Sequence, residues 1–232
     1  MIYRLIAKLY PRKLRESYAQ LLIYNNLTKS LETFIGHIFV TTAILAMVIS
    51  LLLIIFVDVN FFLLLFASFF ILQGVTYSFY VLSADARARF VESILPDALQ
   101  LMSANLRAGM TIDRALLLAS RPEFGAFQED LNRVGKEITT GKEFDRALVD
   151  LSKRIRSEKL QKTVQVIVSG IASGGQLADL LEQTASNFRQ QKLVEERVRS
   201  GVLIYVIFIF AAIGFVAPKL FVLSSFLIEV IT

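Results

Sequence analysis

The chain has 232 residues, 55% of them hydrophobic and 19% charged, with a formal net charge of +5 and a mean hydropathy of +0.58. That is more apolar surface than one soluble core of this size uses, so a membrane protein is the first expectation. With no Cys and a single His, thiolate nucleophiles, disulfide frameworks and Cys/His zinc sites are excluded.

The leader, residues 1–33, is amphipathic. Ile2, Leu5, Ile6 and Leu9 share one helical face, and Leu14, Tyr18, Leu21 and Leu22 share another after Pro11. This spacing predicts two leader helices split by the proline. Phe34–Val57 and Val59–Leu82 follow, two runs without Asp, Glu, Lys or Arg, separated only by Asp58. Each exceeds the roughly 20 residues that cross a bilayer core, so residues 34–82 are expected to form a transmembrane hairpin (34–57 and 59–82). A cleaved signal peptide does not fit, because the first run is too long, lacks a small-residue cleavage site and leads at once into a second.

Residues 83–200 carry 18 Lys or Arg against 16 Asp or Glu, the near balance of a solvated surface. Apolar residues recur at helical spacing: Leu95, Leu99, Met102 and Leu106, then Leu160, Val164, Ile167, Val168 and Ile171, then Leu177, Leu180, Leu181 and Phe188. The prediction is a bundle of about six helices near 94–107, 112–120, 126–139, 143–155, 158–173 and 176–196. Pro96 and Asp97 suit the first turn of the first of these. The last is expected to run on into a third uncharged run, 201–217, close to the lower limit for a span, with a short outer segment at 218–232. The fold class is therefore all-α: a polytopic membrane protein with three transmembrane helices and a helical-bundle domain.

Orientation follows from the basic residues beside the spans. The leader has Arg4, Lys8, Arg12, Lys13, Arg15 and Lys29 against Glu16 and Glu32, while the turn "VDVN" has no basic residue. Arg87 and Arg89 follow the second span; Arg197 and Arg199 precede the third. The N-terminus and the bundle are thus placed in the cytoplasm, and the turn and C-terminus outside. The positive charge then serves topology and contact with membrane lipids. Aromatic residues do not interleave with the basic ones, so no nucleic-acid partner is expected.

One short pattern occurs twice: "GMTIDRAL" from Gly109 and "GKEFDRAL" from Gly141, 32 residues apart, with a weaker copy, "GGQLADLL", around Gly175. Glycine ends a helix at little conformational cost, and an acid in the next opening turn favours the positive dipole end. Gly109, Gly141 and Gly175, with Asp113, Asp145 and Asp179, are therefore read as helix joints of a repeated hairpin unit. A catalytic carboxylate pair is the alternative, but Asp113 and Asp145 are each followed by Arg in a solvent-facing pattern. "TTGKEFD" lacks the first glycine and the Ser or Thr of a phosphate loop. His37 reads as an interfacial residue of the first span rather than a pathway residue. Gly170 and Gly174 form a small-residue stripe suited to close helix packing. No catalytic residue, cofactor or metal is expected, and the chain is read as not an enzyme.

The segment "LPDALQLMSANLRAGMTIDRALLLAS", with "LQKTVQVIVSGIASGGQLADLLEQTASNF" further on, resembles the cytoplasmic domain of the type II secretion system F family. Leu95-Pro96, Leu106 to Gly109, Ala115-Leu116, Ser173 to Gly175 and Leu180-Leu181 carry the resemblance. It implies a non-catalytic inner-membrane platform of a type IV pilus, Tad pilus, archaellum or secretion machine. Such a platform docks a cytoplasmic hexameric secretion ATPase and helps add pilin-like subunits to a filament. The leader followed by a hairpin is similar to archaeal members. Family members usually carry two such domains or a further span, so a homo-oligomer or a second platform half is implied. The basic run Arg154, Arg156, Lys159 and Lys162 supplies candidate ATPase-docking residues, against the plainer reading of a solvated surface. A membrane-anchored sensor or adaptor is the competing function; a transporter would need polar residues along the spans.

Overall fold

The computed structural model describes residues 10–27, 29–55, 60–172 and 176–231, and no strand occurs among them. Its helices are α1 (Arg12–Tyr24), α2 (Leu31–Leu53), α3 (Phe61–Arg107), α4 (Ile112–Ala119), α5 (Ala126–Thr139), α6 (Phe144–Arg154), α7 (Glu158–Ala172), α8 (Leu177–Ala211) and α9 (Ala217–Ile231). A 3-10 turn, Pro122–Phe124, precedes α5, and a π-helical turn, Ala212–Val216, joins α8 to α9. The first leader set, Ile2 to Leu9, the turn residue Asp58 and Gly175 lie outside the described residues. Three helical stretches are long and apolar enough to cross a membrane: Leu31–Leu53, Phe61–Arg107 and Leu177–Ser224. The chain divides into two compact units, Met1–Glu182 and Gln183–Thr232.

In the first unit, α1 begins directly after Pro11, and Ser30 caps α2 by accepting the Thr33 N–H. The two meet α3 around a cluster of Tyr18, Phe34, Ile35 and Ile38, with Tyr77 and Tyr80 packed against it. Tyr18 and Tyr77 approach edge to face at 5.5 Å, and Phe34 and Tyr80 at 4.9 Å. Deeper in the hairpin, the Thr42 hydroxyl donates to Gln73 Oε1 at 3.2 Å. The Gln73 amide in turn donates to the Tyr10 and Tyr18 hydroxyls, so polar groups in an apolar setting satisfy one another.

The local rule for Pro96 does not hold. Instead of opening a helix, Pro96 lies inside α3, which continues from the second span into the bundle without a break. An interior proline costs a helix about 3 kcal/mol. Here Ala88, Val91, Leu95, Leu99 and Met102 are all buried on the bundle-facing stripe of α3, and each large apolar side chain contributes about 1.5–3 kcal/mol on burial. Packing therefore outweighs propensity. With 47 residues, α3 is roughly 70 Å long, more than twice a bilayer core of about 30 Å.

The rest of the first unit wraps this stripe: α4 and α7 lie on α3, and α5 and α6 connect them in series. Leu99, Met102, Leu116, Phe127, Leu148 and Val164 converge on one interior cavity of about 30 Å³. Glycine permits one close approach in this packing, since a Cβ at buried Gly135 would lie 2.2 Å from Leu117 Cδ2.

The second unit is helical from Gln183 onward. The polar stretch before Gly201 and the uncharged run after it belong to the same helix, α8. The helix does not stop at Pro218 either. Proline offers no N–H to the carbonyl four residues back, and the chain widens just before it: the Ala217 N–H donates to Ala212 O, five residues back. Regular helix then resumes as α9, so residues 218–231 continue the third apolar helix rather than forming a separate tail.

Candidate functional site

Two of the repeated glycines occupy the same backbone geometry. Gly109 has φ 81° and Gly141 φ 96°, each one residue beyond a helix cap. After α3 the Gly109 N–H donates to Leu106 O at 2.9 Å and the Met110 N–H to Asn105 O at 3.2 Å. After α5 the Gly141 N–H donates to Ile138 O at 2.9 Å and the Lys142 N–H to Glu137 O at 3.1 Å. This is the paired Schellman closure, which uses up carbonyls a helix end leaves free. Asn26, φ 53°, closes α1 in the same way, with its N–H on Ile23 O and the Leu27 N–H on Leu22 O.

Asp113 and Asp145 stand in the first turns of α4 and α6. The N-cap side chains, Thr111 and Glu143, make no capping bond, so each aspartate acts there through the helix dipole. Ala115, Leu116, Ala147 and Leu148 are buried. Asp179 lies in the first turn of α8. No cluster of His, Asp or Glu suited to a metal ion occurs among the described residues.

Charged side chains bridge these joints to other helices. Arg107, just before Gly109, donates to Asp179 Oδ1 at 2.7 Å and pairs with Glu182. Lys142, just after Gly141, bridges Glu137 at 2.6 Å and Asp150 at 2.8 Å, and Arg154 also binds Glu137. Burial pushes the Glu137 carboxyl up, but Lys142 and Arg154 together outweigh it and hold the group below its ordinary value. Asp150 is held low by its hydrogen bond from Lys142.

The four basic residues around the junction of α6 and α7 do not share one partner. Arg154 turns to Glu137 of α5, and Arg156 to Asp85 of α3 at 2.9 Å. Lys162 pairs with Glu158 one turn away at 2.7 Å on an exposed face. Lys159 is half-buried on α7. The structure therefore does not gather them into a single open patch.

Sequence reasoning missed the tightest polar contact. Arg87 of α3 binds Asp130 of α5, which is 1% exposed, and its second guanidinium nitrogen donates to Tyr24 O at the end of α1 at 2.7 Å. Glu92, further along α3, accepts from the Ser157 hydroxyl at 2.7 Å, and Ser157 Oγ accepts the Leu160 N–H to cap α7. One signal was present: Phe127, Asp130, Leu131 and Val134 fall on one helical face, so a carboxylate stands where an apolar residue is expected and needs a buried partner.

Residues 98–224, more than half of the chain, match the family model described as Type II secretion system (T2SS), protein F. The match starts inside α3 and takes in both glycine joints, the basic run and most of the third apolar helix. No curated protein and no solved structure matches the chain.

Proposed function

This chain belongs to the type II secretion system F family, a family of secretion- and pilus-type assembly platforms of the inner membrane, and from that premise we propose how it works. It is the platform of a type IV pilus-like or archaellum-like machine. Its helical bundle receives force from a cytoplasmic hexameric secretion ATPase, and its spans use that displacement to move pilin-like subunits into a filament. The leader and bundle are cytoplasmic, and the turn after α2 and the C-terminus are outside, an orientation that the basic residues beside the spans support. The glycine joints hold the bundle helices in register and perform no chemistry.

The observation that carries this reading is the continuity of α3. One helix is exposed at the apolar Phe62, Phe66 and Phe70, in its membrane-length stretch, and buried in the bundle at Leu95, Leu99 and Met102. A long α-helix is a stiff rod, and Asp85, Arg87 and Glu92 tie its middle to Arg156, Asp130 and Ser157. A push on the bundle thus moves the hairpin.

The test is to insert three glycines between Ser83 and Ala84. The rod between the spans and the bundle then becomes flexible, at the cost of one of the two bonds by which the end of α1 straddles the insertion, to Tyr80 and from Arg87. Loss of filaments with the ATPase still co-purifying is the expected result. Filament assembly at the wild-type level would refute force transmission through α3.

A further inference from the structure

We propose that a groove beside the C-terminal end of α1 binds the headgroup of an anionic phospholipid. The groove measures about 470 Å³; Leu22, Ile23 and Leu27 line its apolar side, and Arg133, Asp150, Lys153 and Arg154 its charged side. That size suits a small ligand. The proposal rests on the reading that the apolar helices cross a membrane, and not on the identity of any protein partner.

The height of the groove relative to the bilayer is fixed by hydrogen bonds on its own wall. Asn25 Nδ2 donates to Tyr80 O at 3.1 Å, and Tyr24 O accepts from Arg87 at 2.7 Å. The end of α1 thus lies level with residues 80–87, where the uncharged run that ends at Leu82 gives way to Asp85 and Arg87. Tyr18, Tyr77 and Tyr80 cluster at the same level, as aromatic side chains do at the headgroup zone.

The charges in the groove, which include the Asp150 carboxylate, are only partly cancelled internally and leave it net positive. Arg154 is engaged by Glu137, and Asp150 is held by Lys142 at 2.8 Å. Lys153 has only a 3.6 Å contact to Asp150 and is 70% exposed. Arg133 has no carboxylate partner among the described residues. Leu22 O, Ile23 O and Tyr24 O, at the negative end of α1, already accept bonds from Leu27, Asn26 and Arg87, so these three carbonyls are engaged within the chain. Two available cations facing an apolar wall match a phosphodiester with acyl chains attached. A soluble phosphate would use the cations and leave the wall bare.

The experiment titrates the full chain, purified in a neutral detergent, with dihexanoyl-phosphatidylglycerol, dihexanoyl-phosphatidylcholine and glycerol phosphate, following binding by calorimetry. Phosphatidylglycerol should bind, and the other two about tenfold more weakly or not at all. R133Q/K153Q removes two charges and should weaken phosphatidylglycerol binding roughly thirtyfold, since each basic residue near an anionic headgroup contributes about fivefold. R114Q/R121Q removes two charges elsewhere and should leave it within about twofold. Should the double variant melt early, K153Q alone, at an exposed position, should still lose roughly fivefold. Equal affinity in R133Q/K153Q, equal binding of phosphatidylcholine, or equal binding of glycerol phosphate would each overturn the lipid site. A failure of the membrane reading itself is separable, because the chain would then stay soluble when the detergent is removed.

Discussion

Arg107 donates to Asp179 at 2.7 Å across 72 positions of sequence, so the residue leading into the first glycine joint is tied to the acid of the weakest repeat. Both side chains are about half exposed, and exposed ion pairs are screened by solvent and salt. Arg107→Gln and Asp179→Asn should therefore leave the midpoint of thermal unfolding close to that of the wild type. Their coupling in a double-mutant cycle should fade at high salt. A large, salt-insensitive loss from either change would mean the joint depends on this pair.

Arg87 and Asp130 behave differently because they are buried. Removing one partner leaves a charge without compensation, at a cost of about 3–5 kcal/mol. Asp130→Ala should lower the unfolding midpoint in detergent sharply. The double change Arg87→Met with Asp130→Leu should recover much of the loss, because apolar side chains of similar size can replace a buried pair. A double variant as unstable as Asp130→Ala would show that the bond from Arg87 to Tyr24 O, which only the double variant loses, matters to the junction as much as the ion pair.

How much was legible follows from which interactions are local. The spacing of Leu99 and Met102, and of Leu160 and Val164, marks helix faces by itself, so the all-α class and the buried stripes could be read in advance. Gly109 and Gly141 were visible as a repeat. Asn26, with the same closure, was not, because apart from a Thr two positions on, Thr28 against Thr111, the residues after it do not match theirs. Pro96 and Pro218 misled for one reason: the preference against an interior proline is a local term, and burial of α3 or a widened turn before α9 offsets it. The pairs Arg87–Asp130 and Arg156–Asp85 join positions 43 and 71 apart, and no local spacing encodes which helices face each other.

Gly109 and Gly141 separate backbone strain from crowding. Their φ values are 81° and 96°, yet a Cβ at either site would meet nothing within 4 Å. A substitution is penalised only for holding an L-residue in the left-handed region, about 1–2 kcal/mol. Gly109→Ala should cost that amount, Gly109→Val more, and Gly109→Asn less, since Asn tolerates this region. Asp113→Asn and Asp145→Asn should lower stability by only about 0.3–1 kcal/mol and leave filament assembly nearly intact. Loss of assembly by a stably folded aspartate variant would contradict a purely structural role for the joints.

Glu137 gives the bundle an acid sensitivity of known sign. Its ordinary value is 4.5, and in the folded chain it sits lower because Lys142 and Arg154 outweigh the effect of burial. A lowered carboxyl contributes stability above its unfolded value and loses it as pH falls through the folded one. Asp150 shifts in the same direction. Wild-type stability should therefore fall as pH drops below about 4.5, and Glu137→Gln should start lower but show a shallower slope over that window. Parallel slopes for the two proteins would remove Glu137 as the cause.

The proposed docking of an ATPase is testable at two of the four basic residues, Lys162 and Arg156, which differ in their partners within the chain. Among the described residues Lys162 pairs with Glu158 on its own helix, and both are exposed at 70% or more, so Lys162→Glu changes the surface and little else. If this face meets an acidic ATPase surface, the variant should weaken ATPase pull-down at low salt with an unchanged melting midpoint. Arg156→Glu cannot be read so directly, because it also breaks the bond to Asp85 on α3. The exchange Arg156→Glu with Asp85→Arg restores the pair in reverse. Recovery of both fold and ATPase binding in the exchanged chain would make Arg156 a brace for α3. Recovery of the fold without binding would place Arg156 at the ATPase itself. Wild-type pull-down by both Lys162→Glu and the exchanged chain would take these two residues out of the docking surface.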